Sequence, residues 1–224
     1  MKHSGRASKA ATLLLAKTVG PVLLAAILVR WLWPGYVWIP TTLTGLAIVF
    51  TGFVIWFFRD PNPNVPGDAR LVVAPAHGKV DVIDEVPWPN DPHRTCRRIS
   101  IFLSVFDVHV QQAPVAGRVD LVRHTPGLFL NALKTESAAH NENVLLCLTA
   151  ADPAGTPIAV RLIAGLIARR ILPWAVSGES VARGERISLI QFGSRVDLYL
   201  PLNAALQIQV GTRVTGGQTV VARL

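Results

Sequence analysis

The chain has 224 residues, of which 50% are hydrophobic and only 16% are charged, and its formal net charge is +8. Its mean hydropathy of +0.39 is high for a soluble protein, so the composition indicates a membrane-associated chain. The positive charge suits an anionic membrane surface. It would also suit nucleic acid, but the sequence has no basic helix, zinc finger or aromatic stacking motif, so we expect no nucleic-acid partner.

The two cysteines, Cys96 and Cys147, lie far apart in the sequence, each in or beside an apolar segment. No spacing of cysteines and histidines resembles a zinc site, so we expect no metal. A disulfide between them stays open, but two unpaired thiols in a reducing compartment are the simpler interpretation.

Residues 1–58 are predicted to form a helical hairpin that anchors the chain in a membrane. Residues 18–33 form a largely apolar segment interrupted by Pro21 and Arg30. Residues 36–58 form an uncharged segment long enough to span a hydrocarbon core of roughly 30 Å as a helix. The first segment needs flanking residues from about Ala10 onward to reach the same length.

Aromatic and basic residues indicate how this hairpin lies. Tryptophans and a tyrosine cluster around Pro34-Gly35, as in the aromatic belt of a membrane interface. Basic residues before the first segment and Arg59 after the second would place both ends in the cytoplasm, at the inner membrane. A cleaved signal peptide is disfavoured by the second apolar segment, and a hairpin that re-enters one leaflet stays an alternative.

The composition changes sharply after the second apolar segment. Residues 59–70 form a proline-rich linker that cannot continue a helix. Residues 71–224 consist of short β-branched segments separated by turn residues, which predicts a β-rich α+β domain with few helices. Strands are predicted at residues 71–73, 79–83, 99–105, 117–122, 144–149, 158–163, 187–190 and 196–200.

The C-terminal residues 208–222 have turn glycines spaced as in lipoyl- and biotinyl-carrier folds. Similar Pro/Gly punctuation at residues 72–83 and 113–121 predicts a barrel-sandwich type of core. A carrier needs a lysine to modify, and the last lysine of the chain is Lys134. The carrier function is therefore excluded, whereas the core shape stays a prediction.

The stretch Phe192-Gly193-Ser194-Arg195 lies between the last two predicted strands. A serine hydroxyl can attack the carbonyl of a preceding glycine, because glycine leaves the approach open and tolerates unusual backbone angles. The peptide would become an ester, and elimination would leave dehydroalanine, which hydrolyses to a pyruvoyl group. Most Gly-Ser pairs are ordinary turns, so the interpretation depends on the surrounding sequence.

Several segments, in the same order, resemble the phosphatidylserine decarboxylases, in particular their short bacterial and archaeal branch. These segments are Phe57-Phe58-Arg59-Asp60-Pro61, residues 102–110, Asn141-Glu142, residues 163–170, Arg183-Gly184 and residues 192–201. The resemblance implies a covalent pyruvate (pyruvoyl) cofactor made from Ser194. It implies cleavage after Gly193 into a β chain and an α chain that remain associated. It also implies conversion of phosphatidylserine to phosphatidylethanolamine through a Schiff base.

Two histidines are candidates for proton transfer, since imidazole titrates near neutrality. Alternation puts Asp107, His109 and Gln111 on one strand face, and the resemblance implies that His109 handles substrate and protons, so we assign it to decarboxylation. At His77 the family has an aspartate that belongs to its self-cleavage group. Gln112 stands where the branch has a second histidine. We predict that His77 replaces the aspartate as the base, with a slow or inactive proenzyme and a structural turn residue as alternatives.

Asn141, Glu142, Arg169 and Arg170 are the candidates for substrate binding. The family keeps Asn-Glu in this loop-like stretch, and a role in holding the head group is weighed against simple turn formation. Guanidinium groups match phosphate geometry, so either arginine could pair with the lipid phosphate. Either is equally explained as a solvated or lipid-facing charge.

Two alternatives from other classes stay open. One is a non-catalytic membrane protein that kept the fold and lost processing, which predicts an uncut chain. The other is a pyruvoyl enzyme acting on another serine phospholipid, such as an archaetidylserine type, or on a soluble amino acid. The apolar hairpin disfavours a soluble substrate. The sequence leaves the oligomeric state open, including a homo-oligomer.

Overall fold

The computed structural model describes residues 2–130, 140–166 and 170–224. The chain divides into two compact units. A helical unit comprises Ser4–Asp60, and a β unit comprises Met1–His3 and Pro61–Leu224.

The helical unit contains two long helices, α1 (Arg6–Leu32) and α2 (Trp38–Phe57). Both are long and apolar enough to cross a membrane, so the predicted pair of apolar N-terminal helices is confirmed. Helix α1 begins earlier than hydropathy predicted, because residues 6–17 are rich in alanine, leucine and lysine, which favour helix. It also continues through Pro21, which removes one backbone donor without ending the helix.

The described residues of the β unit form fourteen strands. They are β1 (Leu71–Val73), β2 (Gly78–Trp88), β3 (Asp91–Leu103), β4 (Val110–Gln112), β5 (Gly117–Thr125), β6 (Asn143–Ala150), β7 (Pro157–Ala164), β8 (Arg170–Pro173), β9 (Ser180–Val181), β10 (Arg186–Gln191), β11 (Ser194–Leu200), β12 (Ala205–Leu206), β13 (Arg213–Val214) and β14 (Val220–Arg223). The β-rich prediction for this part of the chain is therefore confirmed.

These strands form three sheets. The large sheet has the order β13-β2-β3-β11-β7-β6-β5-β9, and two three-stranded sheets have the orders β4-β10-β8 and β1-β14-β12. Strand β11 pairs with β3 on one side and β7 on the other, both antiparallel. Every residue of β11 is buried, so this strand is the best-protected element near the centre of the large sheet.

The two faces of β11 differ in chemistry. Val196 and Leu198 point into the main hydrophobic core. On the other face, Arg195 is 1% exposed and donates to both carboxylate oxygens of Asp81, at 2.8 and 2.5 Å. Asp197, on the same face, accepts a hydrogen bond from the Ser100 hydroxyl. The alternation along one strand therefore separates an apolar face from a polar one.

Seven of the eight predicted strands lie within longer or equal observed strands. The eighth, 99–105, is predicted too long, because β3 ends at Leu103 and the Ser104 amide donates to the Asp107 carboxylate in the turn that follows. The sequence missed six short ones, β4, β8, β9, β12, β13 and β14, which have two to four residues each. Segments this short carry too little periodicity to be detected, and they are strands only because distant partners pair with them.

The alternation expected through Asp107, His109 and Gln111 is wrong as a strand pattern. The Asp107 amide donates to the Ser104 carbonyl at 3.0 Å in a turn, and β4 begins only at Val110. Asp107, His109 and the intervening valine are all buried, so no exposed face alternates with a buried one.

We expect Leu162→Ala to lower the free energy of unfolding by about 2–5 kcal/mol, because Leu162 is fully buried between β6 and β11 and its loss leaves a cavity. Leu202→Ala is the matched control, since Leu202 is 42% exposed and should change stability by less than about 0.5 kcal/mol. Urea unfolding of the full chain in detergent, followed by circular dichroism, measures both. Equal effects would contradict the assignment of Leu162 to the core.

Candidate active site

Ser194 is the first residue of β11 and sits at the end of the large sheet. It pairs with Leu103 of β3 and with Ala164 of β7. Its side chain lies on the same face as Val196, which is the apolar one. Its Oγ is buried and has no hydrogen-bond partner within the described residues. Buried hydroxyls are normally paired, so this one calls for an explanation.

The turn before Ser194 has an unusual backbone. Phe192 has φ 67° and Gly193 has φ 63°, so two consecutive residues adopt left-handed angles. A non-glycine residue in that region costs free energy, and such strain is concentrated at functional sites. A Cβ added at Gly193 would lie 3.8 Å from Val105 Cγ1, an ordinary contact. Glycine is therefore favoured here by the backbone angle and not by lack of space.

This turn also changes sheets. Strand β10 ends at Gln191 in a three-stranded sheet, and β11 begins at Ser194 in the large sheet. Phe192 and Gly193, the two residues between these strands, must therefore turn the chain from one sheet into the other. The peptide joining Gly193 to Ser194 is thus fixed on both sides by paired strands.

His109 contacts this peptide directly. The Gly193 amide donates to His109 Nε2 at 3.1 Å, and His109 Nδ1 donates to the Asp107 carbonyl at 2.9 Å. These two contacts require the neutral tautomer with its proton on Nδ1. The ring is fully buried. His109 therefore presents a lone pair to the amide of the residue that precedes Ser194.

A polar network holds His109 in place. Gln111 Nε2 donates to the His109 carbonyl at 2.7 Å, and the Ser188 hydroxyl donates to Gln111 Oε1 at 2.7 Å. On the other side, Arg213 forms an ion pair with Asp107 at 3.0 Å. Sequence reasoning missed Ser188 and Arg213, because only the long-range pairing of β10 and the C-terminal segment brings them here.

His77 lies at the same end of the large sheet as Ser194, across β3. His77 precedes Gly78, the first residue of β2. Lys79 of β2 and Arg195 of β11 both pair with Phe102 of β3, so the starts of β2 and β11 lie at the same level of the sheet. Two strand spacings separate β2 from β11, so the backbones lie roughly 10 Å apart. His77 is half-buried.

His77 and Gln112, the two departures from the family pattern, lie side by side. A Cβ on Gly216 would collide with Gln112 Oε1 and would lie 3.1 Å from His77 Cδ2. Gln112 Oε1 is buried without a hydrogen-bond partner in the described part of the chain. The two residues that differ from the family pattern, His77 and Gln112, therefore lie in one pocket beside Gly216. Their proximity cannot be predicted from either sequence position alone.

Asn141 and Glu142 support the strand beside Ser194. Asn141 Nδ2 donates to the carbonyls of Ala164 at 2.7 Å and Leu130 at 2.9 Å, and its Oδ1 accepts from the Leu130 amide at 2.7 Å. The Glu142 carbonyl accepts from the Ala164 amide at 2.9 Å. Both residues thus bind Ala164, the neighbour of Ser194 across the sheet.

Of the two candidate arginines, Arg169 lies outside the described residues. Arg170 is exposed and begins β8, where it pairs with Gln191 of β10. Gln191 directly precedes the turn at Phe192 and Gly193, so Arg170 lies beside this turn.

The described cysteines are not bonded to each other. Cys96 is buried and Cys147 is half-buried, and both are free thiols. Burial raises the pKa of Cys96 to about 11 and also raises the pKa of Cys147, so both are poor nucleophiles near neutral pH. Among the described residues no group of three or more histidine, cysteine and acidic side chains could hold a metal ion.

Comparison with known proteins places the chain among decarboxylases. A sequence model described as phosphatidylserine decarboxylase matches residues 50–222. The phosphatidylserine decarboxylase proenzyme of Desulfotalea psychrophila is 42% identical over 182 residues, which cover 81% of this chain and 84% of that protein. The proenzyme of Ruegeria pomeroyi is 41% identical over 185 residues, covering 80% and 84%. That of Erythrobacter litoralis is 43% identical over 191 residues, covering 80% and 76%.

The chain belongs to the phosphatidylserine decarboxylase family. The resemblance inferred from the sequence and the enzyme class inferred from it are thereby confirmed. The matched residues 50–222 include the turn at Gly193 and the whole of β11.

We expect Asn141→Asp to destabilise the β unit, because a carboxylate oxygen would replace the donor that faces the carbonyls of Leu130 and Ala164. Buried unsatisfied groups cost about 1–3 kcal/mol each, so the melting temperature should fall by several degrees. Asn203→Asp makes the same chemical change at an exposed turn position and should leave the melting temperature nearly unchanged. Equal melting temperatures for the two variants would refute the role given to Asn141.

Proposed function

We propose that this chain is a self-cleaving, pyruvoyl-dependent decarboxylase that converts phosphatidylserine to phosphatidylethanolamine. The observation that carries the proposal is the position of Ser194. Its buried hydroxyl has no hydrogen-bond partner within the described residues, and it directly follows two residues with positive φ. A hydroxyl kept unpaired next to a strained peptide suits attack on that peptide.

The surroundings of residue 194 fit a pyruvoyl group. Ser194 supplies its atoms, β3 and β7 hold the backbone on both sides, and the apolar face of the sheet surrounds the side chain. A pyruvoyl group supplies a carbonyl that accepts the electrons released as carbon dioxide leaves. The remaining steps depend on side chains of this chain.

In the proposed cleavage, Ser194 Oγ attacks the carbonyl carbon of Gly193, and the peptide C–N bond breaks as the ester C–O bond forms. Loss of the Ser194 Cα proton then breaks the Oγ–Cβ bond and leaves Gly193 with a free carboxylate. Water replaces the amino nitrogen of the new terminus, which departs as ammonia. Cutting here would also release the strain at Phe192 and Gly193.

His109 is proposed to act twice at this position. Its hydrogen bond from the Gly193 amide holds the peptide in place before cleavage. Once the chain is cut, the same imidazole lies next to residue 194, where its Nε2 can take a proton from the substrate ammonium and return it to the substrate carbon after carbon dioxide has left. Its neutral tautomer, fixed by the Asp107 carbonyl, preserves the lone pair on Nε2.

His77 is proposed as the base that deprotonates Ser194 in place of the family aspartate. It lies at the correct end of the sheet, across β3 from Ser194. Proton transfer through one water molecule would bridge the remaining separation. Gln112, beside His77 at Gly216, offers an acceptor oxygen to orient the ring.

The remaining candidate residues are proposed to bind the lipid head group or to support the edge of the site that receives it. Arg170 lies beside the turn at Gln191 and suits pairing with the phosphodiester, and we propose the same role for Arg169. Asn141 and Glu142 are proposed to support this edge of the site through Ala164.

We propose that residues 1–58 anchor the enzyme in the inner membrane, that residues 59–70 are a linker, and that residues 71–224 form the decarboxylase domain facing the cytoplasm. The barrel-sandwich-like core remains part of this proposal, because the C-terminal segment supplies β13 and β14, which pair with β2 and β1. After cleavage, β11 would keep its hydrogen bonds to β3 and β7. The α chain would therefore stay bound to the β chain.

Ser194→Ala should abolish both self-cleavage and release of carbon dioxide from phosphatidylserine, because the attacking oxygen is absent. Ser177→Ala, which removes the hydroxyl of an exposed loop serine, should cut and decarboxylate like the wild type. Gel analysis of freshly made protein and assay with carboxyl-labelled phosphatidylserine measure the two steps. Carbon dioxide release by Ser194→Ala at the wild-type rate would overturn the proposal.

His77→Ala should slow self-cleavage by about 10²–10⁴-fold, the usual contribution of a general base. His77→Asp restores the family residue and should cut at least as fast as the wild type. A time course of chain cutting after synthesis compares both with His93→Ala, which changes an exposed strand histidine. If His77→Ala is cut as fast as His93→Ala, another group is the base.

A further inference from the structure

A cavity of about 250 Å³ opens on the polar face of the large sheet. Three arginines from three different strands line it, namely Arg98 of β3, Arg123 of β5 and Arg161 of β7. Asn143, Thr125 and Tyr199 add further polar groups, and Val86, Pro87 and Pro89 form one wall. The residues that line the cavity in the described part of the chain include no acid.

This cavity is separate from the Ser194 site. Tyr199 and Arg161 belong to the polar face of the sheet, whereas Ser194 shares the apolar face with Val196. Tyr199 also lies five residues along β11 from Ser194, a distance of roughly 17 Å in an extended strand. A ligand in the cavity would therefore not touch the reacting atoms, and the inference does not depend on the proposed function.

The arginines are only partly neutralised. Arg98 donates to both carboxylate oxygens of Asp84, at 2.9 and 2.6 Å, and its Nη1 lies 3.9 Å from Asp197. Neither Arg123 nor Arg161 forms an ion pair with any described carboxylate. Arg161 Nε donates to Asn143 Oδ1 at 3.0 Å, and the guanidinium also forms a hydrogen bond with the Tyr199 hydroxyl, so part of its donors is left for a ligand.

Asp197 does not cancel this charge. It lies behind the cavity and is 1% exposed. Burial raises the pKa of Asp197, and the guanidinium groups of Arg98, Arg195 and Arg161 oppose that rise. Even when Asp84 and Asp197 are both ionised, the three arginines that line the cavity give it a net positive charge. Gathering like charges in this way is unfavourable without an anion.

We propose that this cavity binds a phosphate group. A planar carboxylate is satisfied by one bidentate guanidinium, whereas the oxygens of a phosphate can accept from guanidinium groups that approach from several strands. The volume is below the roughly 300–1,000 Å³ usual for drug-sized ligands, so it suits a phosphate with at most a small substituent. Arg123 and Arg161 supply the main donors.

Two sources could supply the same phosphate chemistry. One is a free phosphoryl compound, and the other is the head group of an anionic phospholipid. The two differ in whether a glycerol with acyl chains adds to the affinity, so both are tested in parallel.

The test is titration of the full-length protein in a zwitterionic detergent at constant ionic strength, followed by calorimetry. The probes are inorganic phosphate, glycerol 3-phosphate and dihexanoyl-phosphatidylglycerol, with acetate as the planar anion. Arg123→Gln is the main variant, because Arg123 is exposed and its loss should not affect folding. Arg118→Gln is the matched control on the same strand, also exposed and outside the cavity.

We expect saturable phosphate binding that Arg123→Gln weakens about tenfold or more, since a hydrogen bond to a charged group is lost. Arg118→Gln should change the affinity by less than about twofold, because it removes the same charge elsewhere. Tighter binding of the short-chain lipid than of glycerol 3-phosphate assigns the source to a membrane head group, and the reverse assigns it to a soluble compound. Absence of saturable phosphate binding, equal binding of acetate, or equal losses in the two variants would overturn the proposal.

Discussion

The hydrogen bond from the Gly193 amide to His109 Nε2 joins the parts of the chain on which the site depends. His109 lies before β4 in one sheet, and Gly193 leads into β11 of another, so this 3.1 Å contact holds together two sheets where the backbone is most strained. The Gln111 side chain, which accepts from the Ser188 hydroxyl, donates to the His109 carbonyl and so holds the backbone that carries the imidazole. Phe192 and Gly193 both have left-handed backbone angles, and contacts of this kind are needed to stabilise that conformation.

Strand β11 positions the Gly193 side of this contact. Its pairing with β3 and β7 fixes the position of the Ser194 backbone, and its two faces separate the apolar core from the ion pair of Arg195 with Asp81. The same strand therefore presents the proposed reacting serine on one side. On the other side it contributes Tyr199 to the arginine-lined cavity. All seven residues of β11 are buried, so both sites are built on one well-packed strand.

Much of this architecture is predictable from the sequence. The apolar N-terminal helices and the longer strands follow from hydropathy and β-branched segments, and Phe192-Gly193-Ser194 marks the turn because a glycine is required there. The pocket shared by His77, Gln112 and Gly216 is not predictable, since three distant segments form it. The same reason explains why the sequence did not predict the roles of Ser188 and Arg213 or the short strands. Long-range pairing, and not local periodicity, positions them.

If residue 194 becomes a ketone at a chain terminus, the mass of the purified wild-type protein under denaturing conditions will show it. We expect two fragments, one ending at Gly193 and one starting at residue 194. The smaller should be lighter by one ammonia than a fragment that begins with an unmodified serine, lack a free amine, and gain one adduct with hydroxylamine. An intact chain, or a second fragment that begins with an unmodified serine, would contradict the account.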